Sequence, residues 1–230
     1  PGGDPGRKLG PFYHDIERPE KNLYWFAFNR SKRGITLNIE SPVGQEVFKQ
    51  LVQRSDFVLE SFSPGCMDEL GLGYSTLSKI NPGLIMTSIT PFGQAGPYRS
   101  YKGYNITMMG MSGLLYIAGD PDRPPLCMPA DQAFTLTGAC AASGTLLAYW
   151  YRQNTGEGQQ VDVSIQEVVM RSLLLELGFW DFQGDVVKRY GPIRLRGKIL
   201  QQYIWRCKDG FINWQFFGGG FGARQVRQLV

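Results

Sequence analysis

Apolar and polar residues alternate in two different rhythms over the first quarter of the chain. Ile35, Leu37 and Ile39 are separated by single polar residues, the period of two that is typical of a strand. From Ser41 to about Arg54 the apolar positions recur on one helical face, behind a proline at the first helical position. Residues 56–60 form another short apolar run, so strand, helix and strand follow one another as in a βαβ unit with a parallel sheet.

The same order of elements continues downstream. A helix is predicted over 75–80 and a third strand over 84–89. A long apolar segment, 133–151, reads as a buried helix, and its small residues at 139–144 would allow another element to approach closely. A Gly-rich turn then leads to an alternating strand at 161–164. These patterns predict an α/β fold with a doubly wound parallel sheet and flanking helices.

The last third of the chain has a different pattern. A second apolar helix is predicted from about Val168 to Gly178. Residues 184–198 are basic, aperiodic and dotted with glycine, which indicates a linker. Residues 203–217 predict a hairpin with its turn at 208–210. The predicted domains are therefore a large domain over 1–183, a linker over 184–198, and the beginning of a smaller α+β domain over 199–230.

Composition narrows the function classes. A chain of 230 residues with 43% hydrophobic content is long enough to bury a full core, and no apolar run approaches the roughly 20 residues that cross a bilayer. The net charge of +4 is mild and no basic run is interleaved with aromatic residues, which argues against nucleic acid. Four dispersed cysteines indicate reduced thiols in a cytoplasmic protein, and the lone His14 cannot build a histidine-rich metal site. We expect no metal and no membrane partner.

Asp131 is the candidate nucleophile, because it stands at the entrance of the predicted helix 133–151. An aspartate at this position commonly caps the helix by accepting hydrogen bonds from its first N–H groups. The same carboxylate is ionised at neutral pH without a partner base, and it could attack an activated acyl carbon. Position alone leaves both roles open.

Three other stretches carry weaker signals. The loop Ser61–Gly65 follows a predicted strand, and ligands of open α/β sheets bind where loops leave the carboxyl ends of strands. The methionines at 108, 109 and 111 are more typical of core filling than of a ligand site. Residues 218–223 formally match the dinucleotide pattern GxGxxA, but they do not open a βαβ unit, so we do not predict a nicotinamide or flavin site.

The order of five segments resembles that of the class III CoA-transferases, the family that includes formyl-CoA transferase, carnitine CoA-transferases and α-methylacyl-CoA racemase. The segments cover most of the first two thirds of the chain. They are PGGDPGR (1–7), NRSKRGITLNIESPVGQEVFKQL (29–51), SDFVLESFSPGCMDELGLGYSTLSKINPGLIMTSITPFGQAGPY (55–98), YKGYNITMMGMSGL (101–114) and the stretch around Asp131 (127–164).

The resemblance implies a function for Asp131, which falls on the catalytic aspartate of that family. Its carboxylate would attack the thioester of an acyl-CoA and form an aspartyl mixed anhydride, and an incoming carboxylic acid would then take over the coenzyme A. The expected ligands are coenzyme A, an acyl-CoA and a carboxylic acid, without metal. In this family an opening strand and helix precede the first segment, and the full-length subunits interlock as a homodimer.

The resemblance also implies contacts to coenzyme A at three places. They are Leu37, Asn38, Ile39 and Glu40; Ser61, Phe62 and Ser63; and Lys102, Gly103, Tyr104 and Asn105. Glu40, Ser61 and Glu69 depart from the residues expected there, which leaves Lys32, Arg33 and Lys102 as the nearer cations for the phosphates.

Two alternatives stay open. Tyr104-Asn105 stands where the racemase branch carries His-Asp, so one of the two acid/base groups needed to racemise an acyl-CoA at its α-carbon is missing. This favours a transferase over an acyl-CoA racemase or isomerase. The third reading is a non-catalytic binding or assembly piece.

Overall fold

The computed structural model describes residues 3–196, 199–215, 224 and 227. They belong to two compact units, which comprise residues 1–48 and residues 49–230. The glycine-rich stretch 218–223 lies outside the described residues.

The first unit is built around the side chain of Asn22, which is fully buried. Its Nδ2 donates to the carbonyl oxygens of Gly6, at 3.0 Å, and of Leu9, and its Oδ1 accepts from the N–H of Trp25 and so caps helix α1. The elements of this part are three short 3-10 turns, Pro5–Lys8, Tyr13–Asp15 and Pro19–Lys21, and helix α1, Leu23–Phe28.

The strand predicted over Ile35–Ile39 is wrong. These residues have no regular secondary structure, and the side chain of Ile35 is 72% exposed. An alternating segment becomes a strand only when a neighbouring strand takes up its backbone hydrogen bonds, and none of the described strands pairs with it. The helix predicted from Ser41 onward is confirmed as α2, Pro42–Val52, and the hydroxyl of Ser41 accepts from the N–H of Gly44 at 3.1 Å.

Among the described residues of 49–230, a series of helices and strands extends to Gln183 and is followed by four short strands. In chain order the elements are β1 Phe57–Glu60, α3 Cys66–Glu69, α4 Tyr74–Ile80, β2 Ile85–Thr90, α5 Asn105–Met111, α6 Leu114–Ile117, α7 Gln132–Thr155, β3 Gln160–Ser164, α8 Ile165–Arg171, α9 Leu174–Gln183, β4 Ile193–Arg196, β5 Ile199–Gln202, β6 Ile204–Arg206 and β7 Phe211–Asn213.

The central sheet is parallel and has the order β1-β2-β3. Thr87 of β2 lies at the centre of this sheet and is in register with Leu59 of β1 and with Val161 of β3. Helix α7 packs against β2 and β3, and α5 and α8 pack against α7. The predicted α/β fold, with a parallel sheet and flanking helices, is confirmed.

Two segments near the end differ from the prediction. The apolar helix expected from Val168 to Gly178 is divided into α8 and α9, because Leu173 leaves the helical conformation and turns its side chain into the core. At the break between α8 and α9, the hydroxyl of Ser172 donates to the carbonyl of Val169 at 2.6 Å. The segment predicted as a linker, 184–198, contains strand β4, which pairs with β5 in antiparallel fashion. The predicted hairpin is confirmed by the antiparallel pair β6 and β7.

The core beneath the start of α7 is formed by α5, α6, α7 and α8. Met108 and Met109 are fully buried there and pack with Ala133, Ile165 and Val169, so their predicted role in core filling is confirmed. The same prediction is wrong for Met111, whose side chain is exposed. In the part of the chain that the structure describes, no helix combines the length and the apolar character that a membrane span requires.

Candidate active site

Helix α7 runs opposite to the strands, so its first turn lies at the carboxyl edge of the sheet. Thr145, in the second half of the helix, meets Thr87 of β2, with 2.7 Å between their hydroxyl oxygens. Arg152, near the helix end, donates to the carbonyl of Gly83 and the carboxylate of Asp56, which precede β2 and β1. Asp131 stands 14 residues before Thr145, about 21 Å away along the helix axis. It therefore lies beyond the carboxyl ends of the strands, where ligands of open α/β sheets bind.

Small residues at helical spacing explain why α7 lies so close to the sheet. Its buried positions are Ala133, Thr137, Ala141, Thr145 and Ala148. A Cβ on the neighbouring Gly144 would stand only 3.2 Å from Cγ1 of Val161. The sequence predicted a close approach from the small residues of 139–144, and Ala141 and Gly144 provide it, whereas Ala139, Ala142 and Ser143 are exposed.

Asp131 occupies the N-cap position of α7 but does not cap it with its side chain. Its backbone has φ 49° and ψ 46°, the left-handed region, and Ala130 before it also has a positive φ of 63°. N-cap residues normally adopt an extended conformation, from which the side chain reaches the N–H groups of the first turn. A left-handed conformation costs a residue other than glycine on the order of 1–2 kcal/mol. Among the described residues the half-exposed carboxylate of Asp131 has no hydrogen-bond partner.

The side chain of Asn105 takes over the capping. Its Oδ1 accepts from the N–H of Ala133, the second residue of α7, at 3.0 Å. The loop before Asn105 is held against the carboxyl end of β2, because Gly103 leaves no space for a side chain: a Cβ there would lie 2.6 Å from Cβ of Pro91. The structure thus brings two predicted groups together, Asp131 and the segment Lys102–Asn105.

Ser61, Phe62 and Ser63 lie in the exposed loop that follows β1. The loop is turned by Glu60, whose carboxylate accepts from the N–H of Phe62 at 2.7 Å. Because the strands are parallel, this loop leaves the sheet at the same edge as the loop after β2. Ser63 lines a small pocket of about 20 Å³ with Tyr74, and desolvation by burial raises the pKa of the Tyr74 phenol.

The remaining predicted contacts, Leu37–Glu40, belong to the first unit. There the side chain of Asn38 accepts from the N–H of Glu40 at 3.0 Å and shapes the turn before α2. Of the cations considered for phosphate, Lys32 donates to the side chain of Asn29, and Arg33 and Lys102 are exposed. His14 is also exposed. Within the described ranges, His, Cys, Asp and Glu side chains form no group of three or more that could hold a metal ion.

A cleft of about 570 Å³ opens beside the start of α7. Gln132, the residue after Asp131, lines it, although Asp131 itself does not. Its walls combine apolar with polar side chains, and Lys188, Glu176 and Arg194 bring charge to it, the last two joined in an ion pair of 3.2 Å. The apolar lining includes Leu114, Ile117, Leu136, Leu173, Ile193 and Ile204.

Sequence reasoning missed the capping contact and the cleft. Asn105 caps a helix that begins 27 positions later in the chain, so no local spacing indicates the contact. The cleft is formed by residues between Leu114 and Asn213, including the stretch predicted as a linker. The signal available in the sequence was Pro129-Ala130, because a proline just before the helix entrance indicates a turn that can direct Asp131 away from the helix.

The family model and the similar proteins found by comparison point to the same protein family. The model of the family described as CoA-transferase family III matches residues 1–229. The chain is 37% identical over 212 residues to succinyl-CoA:(R)-benzylsuccinate CoA-transferase subunit BbsE of Thauera aromatica, covering 92% of this chain and 50% of that protein. It is 38% identical over 216 residues to a succinyl-CoA--D-citramalate CoA-transferase of Chloroflexus aurantiacus, covering 94% of this chain and 52% of that protein. The chain thus spans about half the length of these curated relatives.

Solved structures show the same relationship. A crystal structure of a CAIB/BAIF family protein from Brucella suis superposes with a TM-score of 0.79 at 32% identity, over 92% of this chain and 55% of that one. A hypothetical protein from Mycobacterium tuberculosis, Rv3272, has the same TM-score at 22% identity over 99% of this chain and 58% of its own, which indicates a shared fold.

Proposed function

The chain belongs to CoA-transferase family III, and from this premise we propose that the protein transfers coenzyme A from an acyl-CoA to a carboxylic acid, with Asp131 as the nucleophile. The observation that supports the role of Asp131 most directly is its free carboxylate. The side chain stands at a helix N-terminus yet forms no capping hydrogen bond there. Its oxygens therefore remain available to an electrophile.

In the first step an oxygen of the Asp131 carboxylate attacks the thioester carbonyl of the donor. The carbon–sulfur bond breaks, coenzyme A leaves as a thiolate, and an acyl-aspartyl anhydride forms. The acceptor carboxylate then attacks the aspartyl carbonyl and displaces the donor acid. Finally the thiolate attacks the acceptor's acyl carbon, which releases the new acyl-CoA and restores the carboxylate of Asp131.

This series of reaction steps conserves an activated acyl bond throughout, so the reaction requires neither ATP nor a metal ion. It does require that water be kept from the anhydride, which water would hydrolyse. The positive end of the α7 dipole favours negative charge at Asp131 and at the oxyanions that form beside it. Lys102–Asn105, Ser61–Ser63 and Leu37–Glu40 are the proposed contacts to coenzyme A.

We expect the cleft beside Gln132 to take the carbon skeleton of the acceptor or donor acid. A volume of about 570 Å³ lies within the range of small-molecule sites, and the apolar side chains of the lining suit a branched or aromatic skeleton. Lys188, which has no ion-pair partner among the described residues, would attract the acid. A panel of acids tests this: bulky apolar acids should be better acceptors than small ones, and Leu136→Trp should selectively weaken the bulky ones.

Hydroxylamine trapping tests the nucleophile. Hydroxylamine added during turnover should convert Asp131 to a hydroxamate, which mass spectrometry of the peptide would locate. Asp131→Asn should abolish both turnover and trapping, whereas the matched change Asp122→Asn, at an exposed position outside the site, should leave both unchanged. Full activity in Asp131→Asn would refute the role.

The alternative, an acyl-CoA racemase or isomerase, makes a different prediction. It would exchange the α-hydrogen of an acyl-CoA for deuterium in D₂O without any acceptor acid, and the transferase would not.

We also propose that the protein acts as an oligomer, since similar proteins from Thauera aromatica and Chloroflexus aurantiacus are named as subunits. Light scattering of the purified protein tests this, and a monomer with full activity would contradict it.

A further inference from the structure

Asn105 lies outside helix α7, yet its side chain caps the N-terminus of this helix, where Asp131 is located. Asp131 and Asn105 both accept hydrogen bonds from the first turn of α7. The N–H groups of Phe134 and Thr135 donate to the carbonyl of Asp131 at 3.0 and 3.1 Å, and the N–H of Ala133 donates to Oδ1 of Asn105 at 3.0 Å. The N–H of Ala133 is one of the two that an N-cap side chain normally accepts from. Asn105 therefore occupies the place that the side chain of Asp131 would otherwise take.

We infer that Asn105 is a positioning residue for the nucleophile: by capping α7 in place of Asp131, it leaves the Asp131 carboxylate free to attack. This inference rests on the proposed function of Asp131. The cost of the left-handed backbone at Ala130 and Asp131 agrees with it, because an extended Asp131 would bring its own carboxylate back to the N–H groups of the helix.

The core fixes the orientation of the Asn105 side chain. Asn105 is the first residue of α5, and Met109, one turn further on, is fully buried. Nδ2 of Asn105 lies 3.6 Å from the sulfur of Met109, which places the amide nitrogen toward the thioether and leaves Oδ1 for the helix. The contact therefore joins the packed core to the start of α7. Without the Oδ1 acceptor, the N–H of Ala133 would lack its partner and would attract the carboxylate of the N-cap residue, Asp131.

The experiment compares two replacements of similar size. Asn105→Asp keeps an oxygen acceptor at the position of Oδ1, whereas Asn105→Leu removes it. Ile106→Ala, at the exposed neighbouring position on α5, serves as the control. For each variant we would measure kcat, the KM for the acyl-CoA, the melting temperature and the single-turnover rate of hydroxylamine-trapped label at Asp131.

Asn105→Leu should lower kcat and the trapping rate by about 10- to 100-fold, the effect typical of a displaced reacting group, and change the KM less than about threefold. Asn105→Asp should restore both rates to within about fivefold of the parent protein, and Ile106→Ala should not alter them. A purely structural role would lower the melting temperature of Asn105→Leu while the folded enzyme kept its kcat, which would overturn the inference.

Two other results would also overturn it. A change confined to the KM would identify Asn105 as a contact to coenzyme A instead, and an Asn105→Asp variant as slow as Asn105→Leu would show that the acceptor oxygen is not what matters. The parent protein separates this inference from the proposed function. If the parent yields no label at Asp131, the proposed nucleophile fails; if it does and Asn105→Leu labels equally fast, only the role of Asn105 fails.

Discussion

The buried hydroxyl pair of Thr87 and Thr145 holds α7 against the centre of the sheet, and its two members should not contribute equally to stability. Thr145 has a single hydroxyl hydrogen, which it donates to the carbonyl of Ala141 at 2.7 Å. The contact of 2.7 Å between the two hydroxyl oxygens must therefore use the hydrogen of Thr87. Thr87 is the donor and depends on Thr145 for an acceptor.

Thr145→Val should strand the Thr87 hydroxyl in a site with no solvent exposure, which costs about 2 kcal/mol of the free energy of unfolding. Thr87→Val leaves the bond from Thr145 to Ala141 intact, so we expect a loss of about 1 kcal/mol, that of one hydrogen bond. The double variant strands no donor. Its loss should be about 1 kcal/mol, well below the sum of the single losses.

Urea unfolding followed by circular dichroism measures these differences. With a denaturant dependence of about 2 kcal/mol per M, Thr145→Val should lower the unfolding midpoint by about 1 M and Thr87→Val by about half as much. A larger loss for Thr87→Val than for Thr145→Val would refute the donor assignment. Strict additivity in the double variant would refute the coupling between helix and sheet.

Two further predictions concern the same packing. Arg152→Met should reduce the free energy of unfolding by about 2 kcal/mol without changing kcat, because the Arg152 side chain is 14% exposed, donates to the Gly83 carbonyl at 2.9 Å and lies at the edge of the sheet opposite to Asp131. A loss of kcat at full stability would contradict this. Gly158→Ala should destabilise strongly, as a Cβ there would lie 2.0 Å from a backbone oxygen, whereas Gly138→Ala, with open space within α7, should stabilise by about 0.5–1 kcal/mol in the same urea-unfolding assay. Equal effects of the two alanines would contradict the close approach at Gly158.

The elements that depend on local pattern were predictable from the sequence. The helix predicted over 133–151 and the strands predicted over 56–60, 84–89 and 161–164 all form, since a long apolar run indicates a buried helix and short apolar or alternating runs indicate strands. The segment Ile35–Ile39 shows the limit of this reasoning. Its alternation is as regular as that of the true strands, but a strand also needs a neighbour to pair with, and pairing is not written in the segment itself.

The candidate site was predictable in its location and not in its geometry. A carboxylate at the start of a long helix could be assigned from order along the chain, and two roles remained open for it. Whether it caps the helix is decided by the backbone of Asp131 and by a side chain from another helix, that of Asn105. Both are consequences of tertiary packing, which fixes the loop around Gly103 against Pro91 and so delivers Asn105 to the helix.

Isotope transfer to Asp131 tests the central claim most directly. An acceptor acid with both carboxylate oxygens replaced by ¹⁸O should leave one heavy oxygen in Asp131 after the first turnover, because the bridging oxygen of the anhydride stays with the aspartate when the thiolate attacks the acceptor's acyl carbon. Mass spectrometry of the peptide that contains Asp131 would detect it. Turnover with no heavy oxygen in Asp131 would contradict covalent catalysis by this side chain.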